Sequence, residues 1–113
     1  MKKIEAVIRP DSLDLVLQAL DQKGYPGIMV TEIEGHGKQK GVSQQWRGQE
    51  YKVDLLPKVK IEVVVTDKEA EDIVATISKV TKTGQIGDGK IFVTTLSDAV
   101  RIRTGERGDS ALN

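Results

Sequence analysis

Two strand-like stretches, each followed by a helical stripe of apolar residues, constrain the fold of this chain most strongly. In 2–9 and again in 58–66, apolar residues occupy every second position, which is typical of a strand with one buried face. An offset of 57 residues separates Ile4 from Ile61, and the same offset separates Leu20 from Ile77. The 113-residue sequence therefore predicts one domain, 1–113, built from two similar halves.

The first half continues with a helix and a second strand. Apolar residues in 13–20 recur with the spacing of one helix face. Asp11 is the expected N-cap of this helix and Gly24 its C-terminal stop. A run rich in β-branched residues at 28–34 then predicts a strand.

The second half repeats this order. A capping-box sequence at 66–69 precedes an apolar stripe at 70–80, and 91–95 indicates a final strand. Strand–helix–strand taken twice is the split βαβ arrangement of the ferredoxin-like fold, an α+β sandwich. Both helices should cover the sheet face that carries the following residues: Ile4, Ala6, Ile8, Ile61 and Val63.

The opposite sheet face has a mixed character. It carries two matching Lys-x-Glu-x-Val patterns, at Lys3, Glu5, Val7, Lys60, Glu62 and Val64. Such a pattern suits a solvated face. It also suits self-association, in which lysine and glutamate side chains of neighbouring subunits pair within a closed oligomer. We favour association.

A long loop, 36–56, lies between the two halves, and neither apolar period continues through it. In a small domain, a loop of this length is usually functional or disordered. It contains Trp46 and Tyr51, two of only four aromatic residues in the chain, which argues against a mere spacer. The tail, 107–113, is polar and is expected to be loose.

A glycine-rich segment, 83–90, connects the second helix to the last strand. Glycines let backbone N–H groups turn toward an anion, and Lys90 adds a charge that suits a phosphate oxygen. In an extended segment Arg101 and Arg103 would share one face and form a cationic clamp. The loop matches neither a Walker loop nor the dinucleotide fingerprint, and by itself it also fits an ordinary turn. Loop and clamp together indicate a phosphate site.

Composition narrows the classes of function. Seventeen basic and 17 acidic side chains leave no net charge, so no overall field favours nucleic acid or a membrane surface. The absence of cysteine excludes disulfides, thiol catalysis and zinc–thiolate sites, and fits the cytoplasm. No apolar run approaches membrane-spanning length, and the first residues lack a signal-peptide core. The single histidine, His36, is a poor metal site and is interpreted as a loop residue.

Six motifs follow one another along the chain. They are MKKIEA at 1–6, GHGKQKG at 35–41, RGQEY at 47–51, LLPKVKIE at 55–62, TGQIGDGKIFV at 83–93 and RIRTGE at 101–106. In these motifs, and from end to end, the chain closely resembles the P-II family of nitrogen signalling proteins. The resemblance implies a regulatory protein rather than an enzyme.

The resemblance also implies an assembly and its ligands. The expected assembly is a homotrimer of ferredoxin-like subunits with inward-facing sheets and three clefts that bind ATP or ADP competitively. It implies 2-oxoglutarate binding next to Mg-ATP. It further implies that the long loop, the family's T-loop, docks onto ammonium channels, nitrogen-sensing kinases or nucleotidyltransferases.

Site residues follow from the same resemblance. It implies nucleotide contacts at Met29, Gly37, Lys38, Gln39, Val64, Gly87, Asp88, Gly89, Lys90, Arg101 and Arg103, with the two arginines reaching across the subunit boundary. It implies 2-oxoglutarate contacts at Gly37, Gln39, Lys40, Gly41, Lys58 and Gly87. Gln39 is similar to the family residue that ligates Mg²⁺. ATP and 2-oxoglutarate supply the other ligands of the metal. Without the resemblance, Lys58 would be interpreted as a strand-edge surface lysine.

Two loop residues resemble positions of regulation. Arg47 is similar to the residue that plugs an ammonium channel, and by itself would be an ordinary loop charge. Tyr51 matches the tyrosine that is uridylylated in some branches and adenylylated in others, and is otherwise an exposed aromatic. Trp46 stands where tyrosine is expected. Gln49 stands where some relatives have a serine that is phosphorylated. Met29 replaces a Thr or Ser that contacts the adenine, so weaker base selectivity is expected.

Two other classes of function remain open on the residues alone. A ferredoxin-like enzyme of the acylphosphatase kind would need an arginine and an asparagine at an early phosphate loop. Arg9 stands next to Pro10, and the sequence has no asparagine before Asn113. A nucleic-acid-binding module would need aromatic residues on the open sheet face, where the central strands offer glutamate and valine instead.

Overall fold

The computed structural model describes residues 1–25, 27–35, 42–46, 49–53 and 56–112, and for 42–46 and 49–53 it describes the backbone alone. Six strands and two α-helices follow one another along the described chain: β1 (Lys2–Ile8), α1 (Leu13–Gln22), β2 (Ile28–Gly35), β3 (Val42–Trp46), β4 (Gln49–Val53), β5 (Leu56–Val65), α2 (Asp67–Thr81) and β6 (Lys90–Thr95). Short 3₁₀-helices occupy Pro10–Ser12 and Gly108–Leu112. No helix within the described ranges is long and apolar enough to cross a membrane.

The main sheet has four antiparallel strands in the order β2-β5-β1-β6. The two strands that open the repeated halves, β1 and β5, are therefore its central pair. Their register sets Ile4 opposite Val63 and Ala6 opposite Ile61. This order, with two helices on one face, is the ferredoxin-like α+β fold that the repeat predicts.

The core lies between this sheet and the two helices. Ile4, Ala6, Ile8, Ile61 and Val63 are each at most 2% exposed, which confirms the predicted helix-covered face. Four helix residues from the predicted stripes are fully or almost fully buried against them: Val16, Leu20, Ile73 and Ile77. The alternating pattern therefore determines both the sheet face and the helix faces that meet it.

Two of the three helix ends that the sequence predicts agree with the structure. Gly24 ends α1 with a φ of 84°, and two backbone bonds close the turn, Gly24 N to Asp21 O at 2.9 Å and Tyr25 N to Leu20 O at 3.1 Å. Thr66 is the N-cap of α2, and its hydroxyl donates to Glu69 at 2.6 Å.

The third prediction, Asp11 as the N-cap of α1, is wrong. Ser12 is the N-cap, and it makes no side-chain capping bond. A 3₁₀ turn over Pro10–Ser12 leads directly into the helix, closed by Ser12 N donating to Arg9 O at 3.0 Å. Proline at the start of this turn has its φ already fixed near a helical value, so no side-chain cap is needed.

Between β2 and β5 the structure adds a second sheet, the antiparallel hairpin of β3 and β4. Its register runs from Val42 opposite Val53 to Trp46 opposite Gln49. Neither strand was expected, because the apolar alternation stops at this part of the sequence. Main-chain pairing in a hairpin needs no apolar face when no core covers it.

The first residues of the tail, Arg107 and Gly108, make specific contacts with the segment after β6. Val100 and Arg107 form an isolated antiparallel bridge, and Arg107 Nε donates to Asp98 at 2.8 Å. The Asp98 carboxylate also accepts from Gly108 N at 3.1 Å. These bonds tie the segment after β6 into a closed loop.

Candidate functional site

The glycine loop, residues 83–89, connects the end of α2 to β6. Gly84, Gly87 and Gly89 have φ values of 84°, 103° and 106°, which side-chain-bearing residues rarely adopt. Gly89 has a second constraint, because a Cβ placed there would lie 1.8 Å from the carbonyl oxygen of Val7 in β1. The loop therefore needs glycine for its backbone angles and for its close packing on the central sheet.

The Asp88 carboxylate organises this loop from within. It accepts hydrogen bonds from the backbone N–H groups of Thr83 and Gly84, both at 2.9 Å, and from the Thr83 hydroxyl. It also forms an ion pair with Arg9, the residue that follows β1. These bonds, first that from the Thr83 hydroxyl and then that from Arg9, hold the pKa of Asp88 well below its usual range.

Arg9 makes a second contact with the loop. Its Nη2 donates to the carbonyl oxygen of Ile86 at 2.8 Å, while its Nη1 bonds Asp88. One guanidinium therefore joins two points of the loop that are two residues apart.

Lys58 in β5 also contacts the loop. Its Nζ donates to the carbonyl oxygen of Gly87 at 3.2 Å, and the side chain is half-buried. Burial, and secondarily the nearby Arg9 charge, lower the pKa of Lys58. A Cβ on Gly35, the last residue of β2, would lie 3.2 Å from Lys58 Cγ. Lys58 thus sits between the glycine loop and the point where β2 leads into 36–41.

The arginine pair is arranged differently from the expectation. Residues 102–104 form a turn, closed by Gly105 N donating to Arg101 O at 2.7 Å. The extended segment that would have placed Arg101 and Arg103 on one face is absent here, so that geometric argument for a clamp is wrong. Arg101 pairs with Glu106 at 2.6 Å and donates to Ser110 O at 2.9 Å, while Arg103 is exposed.

Comparison with known proteins agrees with this architecture. The sequence model of the family "Nitrogen regulatory protein P-II" matches residues 1–106. The chain belongs to the P-II family. A Nitrogen regulatory protein P-II from Azospirillum brasilense is 55% identical over 112 residues, covering 99% of this chain and all of the relative.

Other relatives give the same result. Nitrogen regulatory protein P-II from Rhizobium meliloti is 54% identical, and Nitrogen regulatory protein P-II 1 from Escherichia coli is 53% identical, each over 112 residues that cover 99% of this chain and 100% of the relative. All three are named as regulatory proteins, and the match extends through the hairpin, the glycine loop and the segment after β6.

In this P-II protein the remaining predicted nucleotide residues lie on the open sheet face. Met29 is 53% exposed on β2, opposite Glu62, and Val64 is half-buried on β5. Lys90 begins β6 and is exposed. Because β2 and β6 are the two edges of the four-stranded sheet, three strand spacings of about 4.8 Å separate them, or roughly 14 Å. Within one chain, Met29 and Lys90 are therefore too far apart to contact each other.

Several predicted site residues lie outside the described ranges. They are Gly37, Lys38, Gln39, Lys40, Gly41 and Arg47. Tyr51 lies on β4, where the backbone alone is described. Among the residues that the structure does describe, no group of three or more histidine, cysteine, aspartate or glutamate side chains could hold a metal.

Sequence reasoning missed the roles of Arg9 and Thr83. Arg9 entered the argument only as a feature that the acylphosphatase-like alternative would need, and Thr83 only as the start of a motif. Their partners are 79 and five residues away along the chain. An Asp among loop glycines, after a Thr five residues earlier, was the one local signal of a closed loop.

Proposed function

We propose that this P-II protein is a homotrimeric signal transducer that binds ATP or ADP competitively and 2-oxoglutarate together with Mg-ATP. The glycine loop carries the proposal. Its backbone already adopts positive-φ angles, and it leads directly into the exposed ammonium of Lys90. Backbone N–H groups and an ammonium are suitable partners for phosphate oxygens.

The position of the residues in the sheet supports a site shared by two subunits. Met29 and Val64 lie toward the β2 edge, whereas Gly87, Gly89 and Lys90 lead into the opposite edge strand. In the proposed trimer a nucleotide lies between neighbouring copies of the chain, one offering the loop and the next offering Met29 and Val64. Arg101 and Arg103 would reach the phosphates across the same boundary.

The open sheet face supports the trimer. Lys3 pairs with Glu5 at 2.8 Å and Lys60 with Glu62 at 3.2 Å, and Lys3 also lies 3.9 Å from Glu62. The hydrogen bond between Lys3 and Glu5 raises the pKa of the lysine and lowers that of the glutamate. A face whose charges are already paired can pack against copies of itself without isolating a charge.

The 2-oxoglutarate site is proposed beside Lys58. Its ammonium lies next to Gly87, and its side chain lies against Gly35. Gly37, Gln39, Lys40 and Gly41, which follow Gly35 in the sequence, are expected to complete the site. Gln39 would ligate Mg²⁺ with its amide oxygen, alongside oxygens of ATP and of the keto acid. Lys58 would pair with the far carboxylate.

Regulation would pass through the T-loop. Ligation of Gln39 holds the root of 36–56 in one shape, and ADP leaves it free to take another, so partner affinity changes by the same coupling energy that the ligands experience. Arg47 is proposed to contact an ammonium transporter, and Tyr51 is the proposed site of uridylylation or adenylylation. Nitrogen-regulatory kinases and nucleotidyltransferases are the other proposed partners. Such ligands and enzymes belong to the cytoplasm.

Calorimetric titration of 2-oxoglutarate into the purified protein tests the proposal, with Mg-ATP, with Mg-ADP and without nucleotide. We expect heat of 2-oxoglutarate binding in the titration with Mg-ATP and in neither of the other two. Lys58→Gln should abolish it, whereas Lys79→Gln, an exposed lysine on α2, should not change it. If the protein binds ATP but not 2-oxoglutarate, only the nucleotide-sensing part of the proposal stands. No nucleotide binding would refute the proposed function.

A further inference from the structure

The glycine loop contains its own anion. The Asp88 carboxylate occupies the N–H groups of Thr83 and Gly84, so the two donors at the start of the loop are already satisfied within the chain. Gln85 N also donates within the loop, to the Thr83 hydroxyl at 3.1 Å, and Asp88 N donates to Gln85 O at 3.4 Å. The N–H groups that we consider for an external phosphate are therefore those of Gly87 and Gly89. Asp88 thus divides the loop into a structural half and a half suited to ligand binding.

Two cations fix the direction of the second half. Arg9 Nη2 holds the carbonyl oxygen of Ile86 at 2.8 Å, and Lys58 Nζ holds that of Gly87 at 3.2 Å. In a planar trans peptide the C=O and the next N–H point in opposite directions. The N–H of Gly87 therefore points away from Arg9.

We propose that Arg9 and Asp88 are positioning residues for the phosphate loop, whose ion pair holds the loop in its anion-binding shape before a ligand arrives. This inference rests on the proposed nucleotide binding and adds how the chain prepares for it. A loop that is already ordered loses less conformational entropy on binding, so its affinity is higher. Neither side chain needs to touch the nucleotide for this effect.

A simpler effect of charge makes an opposite prediction for one of the two residues. If Arg9 and Asp88 acted only through space, removal of the arginine would weaken the binding of a phosphate, and removal of the aspartate would strengthen it. Such effects of exposed charges also shrink as salt concentration rises. Positioning predicts that both removals weaken binding, with little dependence on salt.

The experiment measures the dissociation constants of Mg-ATP and Mg-ADP by calorimetry at low and high salt, for the wild type and for Arg9→Gln, Asp88→Asn and the double variant. The matched control is the ion pair of Lys23 with Asp72, 2.8 Å apart, which joins the end of α1 to α2 and is removed by Lys23→Gln and Asp72→Asn. Thermal unfolding and hydrogen exchange of the Thr83 and Gly84 amides are recorded for every variant.

We expect each single variant to lose affinity about tenfold, the effect of one charge-assisted hydrogen bond. The double variant should lose no more affinity than the weaker-binding single variant, because both substitutions remove the same interaction. The Thr83 and Gly84 amides should exchange faster in all three variants. Arg9→Lys should recover only part of the affinity, because an ammonium cannot hold Asp88 and Ile86 O in the fork of a guanidinium.

Three results would overturn the inference. One is binding within twofold of the wild type for both single variants. Another is tighter binding by Asp88→Asn, with a loss for Arg9→Gln that disappears at high salt. A third is an equal loss of affinity in the Lys23 and Asp72 control variants. Absence of nucleotide binding in the wild type is a different failure, since it refutes the proposed function itself, and the inference with it.

Discussion

Substitution of Gly89 by alanine tests how the glycine loop is packed on the sheet. The new Cβ would lie 1.8 Å from Val7 O and 2.9 Å from Val7 C, where contacts below 3.0 Å essentially do not occur. The loop or the end of β1 must therefore move by more than an ångström. Val7 is paired with Lys90, so that movement disturbs the last pair of the β1–β6 ladder.

Two costs add up at this position. A residue with a side chain at a φ of 106° is strained by about 1–3 kcal/mol. Overpacking against a backbone that is part of the central sheet adds about 1–3 kcal/mol. We therefore expect Gly89→Ala to lower the free energy of unfolding by about 2–6 kcal/mol, a large part of the 5–15 kcal/mol typical of a domain.

Gly84→Ala is the matched control, in the same loop. Its φ is 84°, and a Cβ there would meet no atom within 4 Å, so only the backbone strain remains, about 1–2 kcal/mol. Both variants are unfolded in urea at one fixed protein concentration, because subunit association would make stability depend on concentration. If the two substitutions cost the same within about 0.5 kcal/mol, the argument from the close approach to Val7 is refuted.

Three further predictions concern the core and the titrating groups. Ile77 is 1% exposed, so Ile77→Ala should lower the free energy of unfolding in urea by about 2–5 kcal/mol. Leu15 is 53% exposed, so Leu15→Ala should lower it by less than about 1 kcal/mol. Equal losses of stability would contradict the assigned core. The hydrogen bond to Glu69 raises the pKa of the Tyr25 hydroxyl to about 12. Glu69→Gln should therefore lower this pKa toward 10, which an NMR titration of the tyrosine ring measures. An unchanged pKa would show that Glu69 is not the cause. Because the folded-state pKa of Asp88 is lowered, its contribution to stability is present above about pH 4 and is lost as the pH falls through that lowered pKa. The difference in unfolding free energy between wild type and Asp88→Asn should therefore narrow on acidification, and a constant difference would speak against the ion pair.

The fold could be predicted from the sequence because its signals are local and repeated. Alternation in β1 and β5 and the stripes of α1 and α2 each identify a buried face, and the 57-residue offset between Ile4 and Ile61 identifies the topology. The hairpin of β3 and β4 could not be found in this way, since its strands carry no apolar alternation. Asp11 failed as a cap because the proline turn before α1 supplies the first turn by itself.

The site was predicted less completely, because its contacts are distant in sequence. The glycines and Lys90 were identified from their own loop, and Lys58 was expected beside Gly87 from the family resemblance, where the structure places it. Arg9 could not be assigned to the loop, since its partner is 79 residues away. Arg101 and Arg103 were assigned a shared face from an extended backbone that Gly105, with a φ of 76°, turns into a bend.

The ion pair between Arg9 and Asp88 also affects the order of events in folding. It joins the end of the first strand to the loop before the last strand, across 79 residues. Contacts of such long separation form late, because the chain between them must first be organised. A chain still emerging from the ribosome without residues 83–89 can contain the first helix but cannot form this ion pair. If the loop binds a phosphate as we propose, this capacity depends on a contact that forms only after most of the chain has been synthesised.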